Sequence, residues 1–275
     1  MKKPSRTAKG LRVLAAAAHP DDIEFGMAGT LLLLKQAGAA IHMWNLADGA
    51  CGTQRLPPTK IRALRKREAM ASARLAGATL HPPIGKDLLL FFDASHLAKA
   101  AARLRAIQPD ILLLPSPQDY MEDHQNAARL LAGAAFVRAM PNFKTSPASK
   151  PWSGDMTLYH AMPHGLRDAL RKRLRPGQYV DIASVLAKKK EMLAAHRSQQ
   201  EWLDSSQGMN ATLREMEAMA RDLGRLSGSF RFAEGWRRHN HLGYSSKDRD
   251  PLSEILGPLA HIDRAYEEDL HAPTP

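Results

Sequence analysis

Cysteine is all but missing from this chain: Cys51 is the one thiol among 275 residues. An intrachain disulfide is therefore excluded, as is a cysteine-built zinc cluster, and any bound metal must be held by His, Asp or Glu. Long apolar runs are missing too. VLAAAA and GTLLLLKQAG are the longest, well below the roughly 18 consecutive apolar residues of a membrane span, so no spanning helix is expected. There is no internal repeat, and no low-complexity segment beyond alanine-rich helices. Gly26 and Gly29 follow the first apolar run, but not as the G-x-G-x-x-G that lets a pyrophosphate approach the backbone, which argues against a nucleotide-binding module.

What is present is a hydrophobic fraction of 44% and enough length for one large α/β domain with an elaborated end. The formal charge of +11 is spread through segments such as LRKREAMASARLAG and LRDALRKRLRPG rather than gathered in a tail. It reads as a solvated basic surface, and no specific nucleic acid is expected as partner. The start, MKKPSRTAKGLRVLAAAAHP, has the basic and apolar parts of a signal peptide. Cleavage after the alanines would leave His19 at the new terminus, however, and LRVLAAAA reads equally well as a buried first strand, so a cytoplasmic protein is expected.

Residues 12–18 form that strand, 28–37 a helix closed by Gly38, and 40–48 a second strand followed by the loop GACGT, a β-α-β beginning of parallel type. Helices are expected over 60–78, 94–108 and 119–140, with a third clear strand in PDILLLPSP and a short strand or turn at 87–92. Beyond a proline-rich loop at 141–156, TLYHAMP reads as a strand and 183–203 and 213–228 as helices. Met209, Met216 and Met219 make a core-filling stripe, and Trp202, Trp236 and Tyr244 are expected to pack rather than stack on a ligand. His42 reads as a strand histidine, whereas His160 and His164 border a strand exit.

Two strand ends coincide with polar clusters, at 19–22 and 115–124, and in an open parallel sheet such ends meet at the binding crevice. His19-Pro20-Asp21-Asp22 can give one metal two ligands, His19 and Asp22, while Asp21 points elsewhere; His124 is the candidate third ligand. A His2Asp set leaves positions open for water and substrate, as in catalytic sites, and the activated water needs a base, for which Asp21 is available. The bland alternative is a helix cap, with Asp21 or Asp22 on orphan amides and His19 on a carbonyl.

AHPDDIEFGMAGTLLLL resembles the signature of the PIG-L/LmbE-like zinc deacetylases, and the likeness continues through LADGACGT, RKREAMASARLAGA, PDILLLPSPQDYMEDHQNAARL, YVDIASVLAKKKEMLAAHRSQ and FAEGWR. The resemblance implies a Rossmann-like, mostly parallel sheet flanked by helices, with a helical C-terminal extension: a deacetylase domain over 11–245 and a tail over 246–275. It implies one Zn²⁺ per chain on His19, Asp22 and His124, with Asp21 as general base, and removal of an N-acetyl group from an N-acetylglucosaminyl-type small molecule. It also implies substrate binding by Arg65, otherwise a solvent-facing helix charge, and by Asp93; His164 is a further substrate-binding candidate by its position at the strand exit alone. A homo-oligomer is compatible with all of this. One departure stands out: the family's His-Pro-Asp-His is Met121-Glu122-Asp123-His124 here. Asp123 is then left to orient a neighbour, Tyr120 to donate to the oxyanion, and His196 of AAHRSQ to protonate the leaving amine. A metal-dependent hydrolase of another amide, or of an anionic phosphoester, is the alternative.

Overall fold

In a computed structural model that describes residues 3–199 and 211–271, the chain builds one eight-stranded sheet. Trp202 and Met209 lie outside the described residues. The strands are β1 (Arg12–Ala17), β2 (Ala40–Asn45), β3 (Thr79–His81), β4 (Ile111–Leu114), β5 (Thr157–Ala161), β6 (Gln178–Asp181), β7 (Ala233–Arg238) and β8 (Ala260–Ile262). Their order is β3-β2-β1-β4-β5-β7-β6-β8. The first five are parallel to one another and the last three join antiparallel, which is the mostly parallel α/β sheet expected.

Helices cover both faces: α1 (Asp22–Gly26), α2 (Ala28–Gln36), α3 (Pro58–Ala76), α4 (Ala94–Ile107), α5 (Glu122–Val137), α6 (Leu186–Ala194), α7 (Ala211–Leu226), α8 (Pro251–Leu256) and α9 (Arg264–His271). Side chains alternate across a strand, so β1 sends Val13, Ala15 and Ala17 into the core under α2 and α6, and Leu14 and Ala16 into the core under α4 and α5. β4 divides in the same way, with Ile111 and Leu113 on one side and Leu112 and Leu114 on the other. Buried on both faces, these strands read as continuous apolar runs.

The uninterrupted seven-residue buried run of α2, Ala28 to Leu34, requires close packing all round. Gly29 permits it, because a Cβ there would stand 2.5 Å from Ile182 Cγ2. Gly38, at φ +103°, closes this helix as expected.

Several expectations change. Residues 87–92 are irregular rather than a strand, and the helix expected over 183–203 breaks after Ala194, so that His196 sits at the break. Residues 230–239, left unassigned by pattern, contain β7. The C-terminal extension is helical in α8 and α9, and it also completes the sheet through β8 and buries Leu252, Leu256 and Leu259 in the main core. No helix among the described residues is long and apolar enough to cross a membrane.

Candidate active site

From β1 the chain steps outward one way to β2 and β3, and the other way to β4 and β5. The gap between the ends of β1 and β4 is therefore the topological switch point, where such sheets bind ligands. Both polar clusters open onto it. His19 and Asp22 lie in the turn after β1, where the backbone amide of His19 donates to Asp22 Oδ2 at 2.7 Å. Between them Asp21 holds φ at 109°, a conformation that costs a residue with a Cβ about 1–3 kcal/mol and persists only under outside constraint. The constraint is visible: Asp21 Oδ1 is 3.4 Å from Arg65 Nη2.

His124 enters from the first turn of α5. Ligand atoms of His19, Asp22 and His124 all lie within 4.8 Å of one another. His19 Nδ1 is 3.5 Å from Asp22 Oδ2, and His124 Nε2 is 3.4 Å from Asp22 Oδ1. Each imidazole has its other nitrogen on a second carboxylate. His19 Nε2 is 2.9 Å from Asp123 Oδ2, and His124 Nδ1 is 3.2 Å from Asp119 Oδ1. Asp123 is fixed in turn by the amides of Leu88 and Leu90.

The local field favours positive charge. Burial opposes protonation of His19, but Asp123 and Asp22 outweigh it and carry its pKa to about 9. His124 is raised well above the ordinary histidine value, because Asp22 and Asp119 overcome the same burial penalty. Burial raises Asp21 against the opposing pull of Arg65, to about 6. Tyr120 is pushed up to about 12 by burial and the nearby Asp22 and Asp119, so its hydroxyl keeps its proton.

A second buried network holds Arg65. On α3, residues 65, 68 and 72 share one face, and the segment after α6 docks against it. Arg65 donates to the Gln199 side chain and the Pro20 carbonyl, Ser198 donates to Glu68 through both its amide and its hydroxyl, and Ser72 donates to Glu24 at 2.5 Å. His196 completes the group, with Nε2 3.1 Å from Glu24 Oε1. The GACGT loop folds over the guanidinium: Gly49, at φ +73°, would place a Cβ 2.8 Å from Arg65 Cδ. Asp87 pins that loop by accepting from the amides of Gly49 and Cys51 at 2.6 and 2.9 Å.

A cavity of about 430 Å³ opens above these residues. His19, Asp21, Asp22, Arg65, Tyr120, His124 and His164 all line it, so the structure brings together seven of the residues singled out from sequence. Arg65 is only 2% exposed, not a solvent-facing charge. Four of the singled-out polar residues do not reach the cavity. Asp123 stands behind His19, while Asp93 caps α4 by accepting from the amide of His96 at 2.8 Å. His196 is fully buried against Glu24, because the helix break turns it inward. His160 is also turned away, bonded to the Pro115 carbonyl and His239. Asp119, Asp87, Gln199, Thr212 and Glu215 line the cavity without having been picked out from sequence. Only Asp119 carried a local signal, as a carboxylate in the same strand-end cluster as His124.

Fold and site together define a class: parallel α/β proteins with a His2Asp centre at the switch point. Residues 14–135 match the family model described as PIG-L: GlcNAc-PI de-N-acetylase, and the resemblance seen in the motifs is thereby borne out. The diacetylchitobiose deacetylase of Thermococcus kodakarensis is 27% identical over 195 residues, covering 68% of this chain and 70% of that protein. A 4-oxalmesaconate hydratase of Pseudomonas putida is 28% identical over 184 residues, covering 64% and 69%. The N,N'-diacetylchitobiose deacetylase structure from Pyrococcus horikoshii shares the fold, with a TM-score of 0.70 at 24% identity over 88% of both chains. The relatives thus include hydrolases of carbon-nitrogen bonds and a hydratase.

Proposed function

We propose that this chain is a zinc-dependent N-deacetylase that removes the acetyl group from an N-acetylglucosaminyl-type amino sugar or conjugate. One observation carries the reading: two imidazoles converge on Asp22 while each has its far nitrogen on a separate carboxylate. That carboxylate-histidine pairing fixes ring orientation and raises ligand basicity in metal sites. The donor set of two nitrogens and one carboxylate fits zinc, and the surrounding carboxylates fit a cation. His19, Asp22 and His124 would hold it. Bound there, zinc polarises a carbonyl and makes water nucleophilic near neutral pH.

The chain's own residues supply the rest. Asp21 lines the cavity beside the ligands and is anchored by Arg65, placed to take a proton from the attacking water. Tyr120 offers its hydroxyl hydrogen to the oxyanion. Met121 cannot deliver a proton, and His196 faces Glu24, so the proton that Asp21 accepts is the one it returns to the departing amine. Arg65 acts chiefly by positioning Asp21, since its two terminal nitrogens, Nη1 and Nη2, are engaged by Gln199, Pro20 and Asp21.

Cavity charge supports an amide over an anionic substrate. In a chain of net charge +11 the lining carries, among the described residues, Asp21, Asp22, Asp87, Asp119 and Glu215 against Arg65 alone among Lys and Arg, so the carboxylates outnumber the charges of Arg65 and one divalent ion together. A substrate with several negative charges would meet repulsion there. The test is acetate release by the zinc-loaded protein from N-acetylglucosamine and N,N'-diacetylchitobiose, with Asp22→Asn as control. Stoichiometric acetate and free amine are expected. No acetate from either sugar, with hydration of an unsaturated polycarboxylate instead, would replace the reading.

A further inference from the structure

Two residues on α7 face the cavity one turn apart, Thr212 and Glu215, an i, i+3 pair on one side of the helix. Thr212 lines the cavity and is nine-tenths buried, and its Oγ1, itself buried, has no hydrogen-bond partner among the described residues. A buried hydroxyl left without a partner is unfavourable, so the position suits a ligand that supplies one. Glu215 stands at the rim with one oxygen 3.2 Å from His164 Nε2, both side chains 45% exposed. The His164 ring packs 5.1 Å from Phe25 and 6.2 Å from Tyr120, centroid to centroid, giving this side of the mouth an aromatic wall.

We propose that Thr212, Glu215 and His164 form a subsite for the sugar unit beside the one that carries the N-acetyl group, and that it prefers a unit bearing a protonated amine. The inference rests on the deacetylase reading for what occupies the rest of the cavity. The aromatic wall takes a pyranose face, and Thr212 meets a ring hydroxyl. Glu215 accepts from an ammonium, the one substituent that gains from a carboxylate-rich lining. Arg65, the one Lys or Arg of the lining among the described residues, is held by the Gln199 side chain and the Pro20 carbonyl. Substrates that have already lost one acetyl group would therefore be favoured over fully acetylated ones.

Binding without turnover tests this. Calorimetry on zinc-loaded protein carrying Asp21→Asn, which keeps the metal and suppresses hydrolysis, would compare chitobiose with two free amines against N,N'-diacetylchitobiose, alone and with Glu215→Gln or Thr212→Val added. Glu215→Gln should weaken the diamine roughly three- to tenfold, more than the diacetyl sugar, and should flatten the salt dependence of diamine binding. Thr212→Val should weaken both ligands a few-fold. Equal loss for both sugars in Glu215→Gln, or no loss for the diamine, would overturn the subsite. Wild-type acetate release from N-acetylglucosamine, measured alongside, reports on the deacetylase reading separately. Absent acetate with Glu215-sensitive diamine binding removes that reading and keeps the subsite, and the reverse result does the opposite.

Discussion

Two buried ionic clusters differ in what they leave open. At the N-terminus of α2, Lys189 and Glu234 are 1% and 2% exposed and paired with each other. Glu234 also accepts from the amides of Gly29 and Thr30, both at 2.7 Å, so it satisfies the orphan donors of the α2 N-terminus. Trp236 Nε1 donates to Thr30 Oγ1 at 3.0 Å and seals the group. Every polar end there points at another protein atom, and neither Lys189 nor Glu234 lines the cavity. In the turn after β1 and the first turn of α5, His19, Asp22 and His124 instead aim donor atoms at a common point on the cavity wall. Burial alone does not mark a functional charge. Convergence on open space, backed by partners that hold the donors in place, does.

Substitutions in each cluster should separate the two roles. The largest effect is expected at Asp21: Asp21→Asn should keep zinc and lower kcat about 10²- to 10⁴-fold, since an amide cannot take a proton from water. Zinc analysis beside initial rates checks this, and parallel loss of metal would make Asp21 a ligand. Lys189→Met should leave Glu234 without its counter-charge and lower unfolding free energy by about 3–5 kcal/mol in denaturant titration. The folded fraction should keep its zinc. A stable Lys189→Met variant that loses zinc would erase the distinction between the clusters.

A smaller effect belongs to the carboxylates behind the histidines. Asp119→Asn should weaken zinc about 10- to 100-fold while leaving the site able to fill at high metal concentration. Competition with a chromogenic chelator measures it. Unchanged affinity would reduce Asp119 to an anchor for the Met121 amide, which donates to it at 3.0 Å.

The same contrast explains what could be read in advance. β1, β2 and β4 announce themselves as short apolar runs, because parallel strands buried on both faces carry that signature locally. His19, Asp22 and His124 stand out because strand ends and polar clusters coincide along the chain. β3 is only three residues long, too short for a period. β7 mixes Glu234 and Arg237 with Trp236, and its burial depends on partners from β5 and β6 that lie more than fifty residues away. His196 misled for a related reason: periodicity sees an unbroken helix, while the break at 195–196 is imposed by docking of Ser198 and Gln199 onto α3. Thr212 and Glu215 had no signal at all, since a helix face becomes a cavity wall only once the sheet has placed it.

If two oriented imidazoles and Asp22 hold one divalent ion, zinc stoichiometry of the purified protein and of His124→Ala, after dialysis against a weak chelator, is decisive. One zinc per chain is expected in the wild type, and an empty, still folded His124→Ala variant. Full zinc content in His124→Ala, or none in the wild type at saturating zinc, would contradict it.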